Sequence, residues 1–395
     1  MAAAGPRPAG RSRTVFWNDP RVRALFAQAV VLLLVIAGAA YLISNTIANR
    51  ERLGVASGFD FLWQVAGFDI SQTLIDYDRT YSYGRAFLVG LINTFYVAVV
   101  GIVFATIIGF IMGVARLSSN WLVAKVASAY VEIMRNIPLL LQLIVWYFVV
   151  LGGLPAPRES IALGEGVYLN IRGLFLPKPV FGEGTAIFLA AVVLAVIAVL
   201  VLRRWARRRF EATGQPFPVF WTSLAILVLL PLLGYVLAGM PITFEYPKLG
   251  KFRISGGLVM LPEFMAMVAG LSIYTGAFIA EIVRAGILAI QKGQWEAAYA
   301  LGLSRGQTLR LIVIPQALRV IIPPQTSQYL NLTKNSSLGV AIAYPDFFNV
   351  AGTINNQTGQ AVEVIAITMA VYLSLSLGIS AFMNWYNARM ALVER

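Results

Sequence analysis

Long apolar runs separated by shorter polar stretches fill most of this chain. Residues 24–44 (ALFAQAVVLLLVIAGAAYLIS) carry no charge. A helix needs about 20 consecutive apolar residues to cross a bilayer core. Further runs follow at 87–115, 126–153, 186–202, 219–239, 262–290, 311–333 and 362–386. Each predicts a membrane helix, about eight in all. The expected fold class is therefore all-α, a polytopic membrane helix bundle, with no internal repeat.

Breakers within the runs refine this picture. Pro138 lies inside 126–153, and Pro315, Pro323 and Pro324 lie around 311–333. A proline removes a backbone donor and bends a helix. Gly90, Gly101, Gly109 and Gly113 in 87–115 suit close helix packing. The intervening stretches 45–85, 154–185 and 240–261 read as external segments and loops. Residues 334–361 are polar with re-entrant character.

Composition sharpens the class. The chain has 395 residues, 58% of them hydrophobic and only 12% charged; its mean hydropathy is +0.74. So few charges cannot cover a soluble surface. The net charge of +13 sits in short clusters between apolar runs, the pattern of cytoplasmic loops rather than of a nucleic-acid-binding domain. The strongest cluster is RRWARRRFEATGQ, with Arg203, Arg204, Arg207, Arg208 and Arg209. It reads as a topology signal and an anionic-lipid contact. It requires the preceding run to go inward and the next outward, which agrees with alternation counted from a basic arm at 1–23. Both termini are thereby expected in the cytoplasm. The first apolar run reads as a retained helix, not a cleaved signal.

There are no cysteines and no histidines. Disulfides, thiolate or imidazole metal sites and Ser-His-Asp or Cys-His catalysis are excluded. No GxxxxGK[ST] phosphate loop is present, and no cofactor is called for. The chain is not expected to be an enzyme.

One polar loop carries a specific pattern. Residues 296–315 read EAAYALGLSRGQTLRLIVIP. Glu296, Ala297 and Ala298 are followed after three residues by Gly302, then after nine by Ile312, Ile314 and Pro315. This spacing resembles the coupling loop of ATP-binding-cassette importer permeases, with Ile314 where leucine is usual. The stretch AEIVRAGILAIQKGQ, with Glu281, Arg284, Gly286, Gly293 and Gln294, resembles the segment before that loop in polar amino-acid permeases. YVEIMRNIPLLLQ, with Tyr130, Glu132, Arg135, Pro138 and Gln142, resembles another of their segments. There Asn136 and Ile137 replace glycine and threonine. LTKNSSLGVAI, with Lys334, Ser336, Ser337 and Leu338, resembles a third.

The resemblance covers 86–153 and 262–390 and implies the five-helix core of a type I importer permease. It divides the chain into a cytoplasmic arm at 1–23, a leading helix and external segment at 24–85, and a first core part at 86–153. External loops with an inserted helix pair follow at 154–261. The second core part is 262–395, including the coupling loop 291–310. The enlarged form is similar to the general L-amino-acid permeases. What the resemblance implies is a bacterial inner-membrane transport subunit that hydrolyses nothing itself. Its implied partners are two copies of an ATPase subunit, a second permease half, a periplasmic amino-acid-binding protein and membrane lipid. Glu296, Ala297, Ala298, Gly302, Ile312 and Pro315 are the implied ATPase-coupling residues.

Other polar residues near the spans have two readings each. Glu132 with Arg135, and Glu281 with Arg284, read either as a gate or vestibule lining or as local i,i+3 ion pairs. Lys334 with Ser336 and Ser337, after a proline-broken helix, reads as a substrate or subunit contact or as an interfacial helix end. Asn93, Thr94, Gln142 and Glu363 read as path lining or as interhelical hydrogen bonds. An ion-gradient-driven secondary transporter is the competing function. It accounts for the bundle and the prolines but not for the E-A-A loop.

Overall fold

The computed structural model describes residues 20–53, 58–250 and 254–390. Most of the expected arm at 1–23 and the terminal Arg395 lie outside them. The leading run forms α1 (Pro20–Leu53), which extends past both ends of the predicted span. After the segment at 58–82, expected from the sequence to be external, comes α2 (Tyr83–Ala115), then α3 (Trp121–Asn136) and α4 (Leu139–Ile144), which a π-helical turn continues to Leu151. Four short strands follow: β1 (Ile161–Gly164), β2 (Val167–Asn170), β3 (Gly173–Leu176) and β4 (Lys178–Phe181). A helical hairpin of α5 (Thr185–Thr213) and α6 (Val219–Leu237) leads to β5 (Ile242–Glu245), β6 (Lys248–Leu249), β7 (Ile254–Ser255) and β8 (Leu258–Met260). The chain ends in α7 (Pro262–Leu288), α8 (Lys292–Ala300), α9 (Arg305–Thr308), α10 (Ile314–Asn335), α11 (Phe347–Thr358) and α12 (Ala361–Met390).

Six described helices are long and apolar enough to cross a membrane: α1, α2, α5, α6, α7 and α12. The bent α3–α4 pair makes seven. The run expected at 311–333 forms α10, which carries Arg319, Lys334 and several glutamines and is too polar to qualify by composition. The run expected at 126–153 differs most from a kinked span. Its two halves meet at 105°. Ile137 is extended (φ −95°, ψ 126°), as a residue before proline prefers, so α3 stops and Pro138 caps α4 rather than bending one helix.

The core is built on α2 and α7, which run parallel in close contact. Tyr96 stacks on Phe264 with ring centroids 4.7 Å apart. Further along, Gly109 lies against Ile279, and a Cβ on Gly113 would stand 2.7 Å from both the Ala280 carbonyl and Val283 Cβ. Small residues let the backbones approach this closely. Gly101 receives Leu332 of α10, and Gly90 receives Phe347 of α11. Leu143, Met267, Leu271, Ile279 and Leu332 are fully buried in this core. A second apolar cluster joins the external segment to the starts of α2, α11 and α12 through Phe61, Tyr83, Phe87 and Phe347.

The loops expected at 154–185 and 240–261 contain short strands. β1, β2, β3 and β8 form one antiparallel sheet, and β4 pairs with β5. The chain entering the α5–α6 hairpin thus pairs with the chain that leaves it and leads into α7. Within the hairpin, Gly234 lets α6 close on Ala191 of α5. α1 stands apart, with none of its apolar window buried.

Candidate functional site

The E-A-A loop folds as two short helices joined by a tight turn. Gly302 adopts φ +76°, a left-handed conformation that costs other residues about 1–2 kcal/mol. Its N–H donates to Tyr299 O (2.9 Å), and the Leu303 N–H donates to Ala298 O (3.1 Å). These are the two bonds of a Schellman motif, which satisfies the last carbonyls of α8. Ser304 then starts α9 with a capping box. Its hydroxyl accepts from the Gln307 N–H, and Gln307 Oε1 accepts from the Ser304 N–H (2.9 Å). Five π-helical residues, Leu309–Val313, lead without a break into α10, with Pro315 in its first turn.

This fold divides the motif residues into two sets. Ala298 is fully buried and Ile312 half-buried. Glu296, Ala297, Gly302 and Pro315 are exposed. The apolar side chains of Leu301 and Tyr299 are 78% and 48% exposed. The outer side of α8 therefore presents a carboxylate beside apolar groups that none of the described residues covers.

Behind the loop, Glu281 of α7 pairs with Arg284 (2.6 Å) and with Arg116 at the end of α2. The i,i+3 pair expected from spacing forms here. Arg116, visible in the sequence only as a flank, is its least exposed member. The triad locks the ends of α2 and α7 directly before the loop.

The matching expectation for Glu132 and Arg135 does not hold. Arg135 turns away to lie over the Phe278 ring of α7, 5.1 Å from its centroid. Glu132 is exposed, and only its backbone carbonyl is engaged, by Asn136 Nδ2 (2.7 Å). A cation over a ring face competes with a solvated ion pair. Gln142 is buried and spans the α3–α4 break, donating to Met134 O (2.9 Å) and Ile137 O (3.0 Å). It caps the free end of α3.

Asn93 and Thr94 are fully buried and face other elements. Asn93 Nδ2 donates to Gln72 O (2.8 Å) in the external segment and to Pro345 O (2.9 Å), while Thr94 Oγ1 accepts from the Phe347 N–H (2.9 Å). The Tyr344 hydroxyl donates to Asn93 O (3.0 Å). Glu363 accepts from the Gly58 N–H (3.0 Å). The bonds of Asn93, Thr94 and Tyr344 hold the segment before α2 and the start of α11 onto α2, and the bond of Glu363 ties that segment to α12. Tyr344 and Asp346, which caps α11 through the Asn349 N–H (2.9 Å), were not candidates in the sequence. The turn residues around Pro345 after a helix break were the available signal. Ser336 is buried and bonds to Thr333 O (2.8 Å), Ser337 bonds to Lys334 O (2.9 Å), and the Lys334 side chain is exposed.

α5 and α7 both start at the strands, so the arginine-rich end of α5 and the α8 loop lie at the same end of the bundle. Helices of spanning length, a two-helix polar loop at one end and strands at the other define a polytopic membrane protein. The family described as binding-protein-dependent transport system inner membrane component matches residues 191–392. The chain is 53% identical over 377 residues to the general L-amino acid transport system permease protein of Rhizobium johnstonii, covering 95% of this chain and 94% of that one. It is 50% identical over 379 residues to a putative amino-acid ABC transporter permease protein of Escherichia coli, covering 95% and 96%. It is 42% identical to the glutamate/glutamine/aspartate/asparagine transport system permease protein of Rhodobacter capsulatus, covering 100% and 99%. The chain belongs to the family of binding-protein-dependent transport system inner membrane components.

Proposed function

We propose that this chain is the membrane-spanning subunit of an ATP-driven amino-acid importer in the bacterial inner membrane. A partner ATPase moves it through residues 291–310. One observation carries the coupling assignment. α8 is held by the Schellman turn and the capping box that follows it, yet turns Glu296, Tyr299 and Leu301 outward with no cover from the described residues. A rigid element with a carboxylate and exposed apolar groups has the chemistry of a docking helix. The Arg116–Glu281–Arg284 triad ties α2 to α7 just before that helix, so a push on α8 reaches both helices together as rigid-body rocking of the core. The amino-acid substrate follows from what the full-length relatives are named for.

In this reading 86–153 and 262–395 form the transporting core, and 154–261 is an addition to it. Two ATPase copies act beneath the core, a second permease half completes the pathway, and a periplasmic binding protein delivers the amino acid. Both termini and the α8 loop lie in the cytoplasm, as the positive-inside rule places the Arg203–Arg209 cluster. Uptake of labelled amino acid into vesicles carrying the co-expressed subunits tests the assignment. Uptake should require ATP on the α8 side and survive an uncoupler. Uptake that collapses with the ion gradient and ignores ATP identifies a secondary transporter instead.

A further inference from the structure

We infer that the loop end of the α5–α6 hairpin is a binding site for the phosphate headgroup of an anionic phospholipid, with Arg203 and Arg207 holding the phosphate. The inference rests on the proposed membrane placement of the hairpin and not on the ATPase coupling.

Residues 203–211 hold five arginines and one glutamate. Glu211 pairs with Arg207 (3.0 Å), while Arg203, Arg204 and Arg208 form no ion pair among the described residues. Arg203, Arg207 and Phe210 fall at i, i+4 and i+7, on one stripe of α5. That stripe forms one wall of a groove of about 290 Å³, and Pro216, Phe217 and Val219 form the other. The groove is therefore cationic at one edge and apolar across its floor. Arg209 stacks on Trp205 (5.4 Å), which meets Phe217 edge-on (5.2 Å). This aromatic brace fixes the turn between the helices.

The position favours a lipid over a protein. From Thr185 to Leu202, α5 is apolar for about 27 Å at 1.5 Å per residue, close to the thickness of a bilayer core. Arg203 is thus at headgroup depth. Only 17% of the α5 window and 11% of the α6 window are buried, so acyl chains surround the hairpin up to the groove. Leu200 and Leu224 are exposed beside it, and Phe220 and Trp221 are exposed at the start of α6, where interfacial aromatics belong. A phosphodiester at Arg203 and Arg207 would leave its acyl chains along these side chains. A zwitterionic lipid gains less, because its ammonium opposes Arg203, Arg204 and Arg208, whose charge no ion pair among the described residues offsets.

The test uses the full chain in mild detergent and native mass spectrometry with added phosphatidylglycerol, phosphatidylcholine or inorganic phosphate. Wild type should retain phosphatidylglycerol selectively and should not retain inorganic phosphate. Each basic residue near an anionic surface is worth about 1 kcal/mol. The double variant Arg203→Gln/Arg207→Gln should therefore bind phosphatidylglycerol about 30-fold more weakly. Arg203→Lys/Arg207→Lys should keep most of the binding, and Arg389→Gln at the end of α12 should keep all of it. Circular dichroism confirms that the variants stay helical. Equal retention by wild type and the Gln double variant overturns the inference. So does retention of inorganic phosphate alone. If wild type shows no lipid preference and the double variant instead loses a co-purified ATPase subunit, the patch is a protein dock and the inference fails. None of the lipid readouts needs transport, so they stand or fall separately from the importer reading.

Discussion

Replacing Gly302 isolates the geometry of the E-A-A loop from its chemistry. A Cβ at this position meets nothing within 4 Å, so no substitution there clashes at Cβ. Only the backbone resists, at φ +76°. Alanine in the left-handed region costs about 1–2 kcal/mol, and restricting the unfolded chain returns about 0.4–1 kcal/mol. The net for Gly302→Ala is about 1 kcal/mol, roughly a fivefold shift away from the observed turn. Asparagine visits this region readily, so Gly302→Asn should be nearly neutral. A β-branched residue at positive φ is a genuine outlier. Gly302→Val should open the turn, losing the bonds to Tyr299 O and Ala298 O at about 1 kcal/mol each. Opening relieves the backbone strain, so the total is about 2 kcal/mol, roughly thirtyfold. Initial uptake rates in vesicles, normalised to the amount of chain in the membrane, should fall in the order Gly, Asn, Ala, Val. A valine variant that transports like wild type at equal abundance refutes a coupling role for the turn.

Glu281→Gln leaves Arg116 and Arg284 facing each other without their carboxylate. It should destabilise the detergent-solubilised chain by about 2–3 kcal/mol, and an unchanged thermal midpoint contradicts the triad. Asn93→Ala removes the two donors that hold Gln72 O and Pro345 O, about 2 kcal/mol at the usual value per bond. The external segment around residues 58–82 should become readily cleaved by added protease, and wild-type resistance counts against its anchoring. Gly113→Leu forces a side chain into a site where even a Cβ is 2.7 Å from α7. Overpacking of about 1–3 kcal/mol should lower the folded yield on size-exclusion chromatography, and a normal profile refutes the close α2–α7 contact.

The membrane helices were legible in the sequence because a spanning run is long enough to be read without its partners. The α8 loop was legible because its signature is local, from Glu296 to Pro315. What escaped depended on partners distant in the chain. β3 finds β8 through Leu174↔Met260, and four-residue strands rich in turn glycines look like loop when the partner is unknown. Arg116 reaches Glu281 only because α2 and α7 run parallel. Spacing predicted the same ion pair for Glu132–Arg135 as for Glu281–Arg284. The neighbour, Phe278, decided otherwise. Pro138 marked the right place, but the 105° turn also needed Gln142 to cap α3. The wild-type lack of cysteine, first read as excluding chemistry, becomes a tool.

Because the chain has no cysteine, Leu301→Cys places a single thiol at the most exposed apolar position of the α8 loop. A short thiol–amine cross-linker applied to the co-expressed transporter tests the central claim directly. The account predicts one covalent product joining this chain to the ATP-hydrolysing subunit, altered by ATP and absent when the thiol is placed instead at Asp69→Cys in the external segment. No cross-link from position 301, or an equal cross-link from position 69, would contradict the docking of an ATPase on this helix.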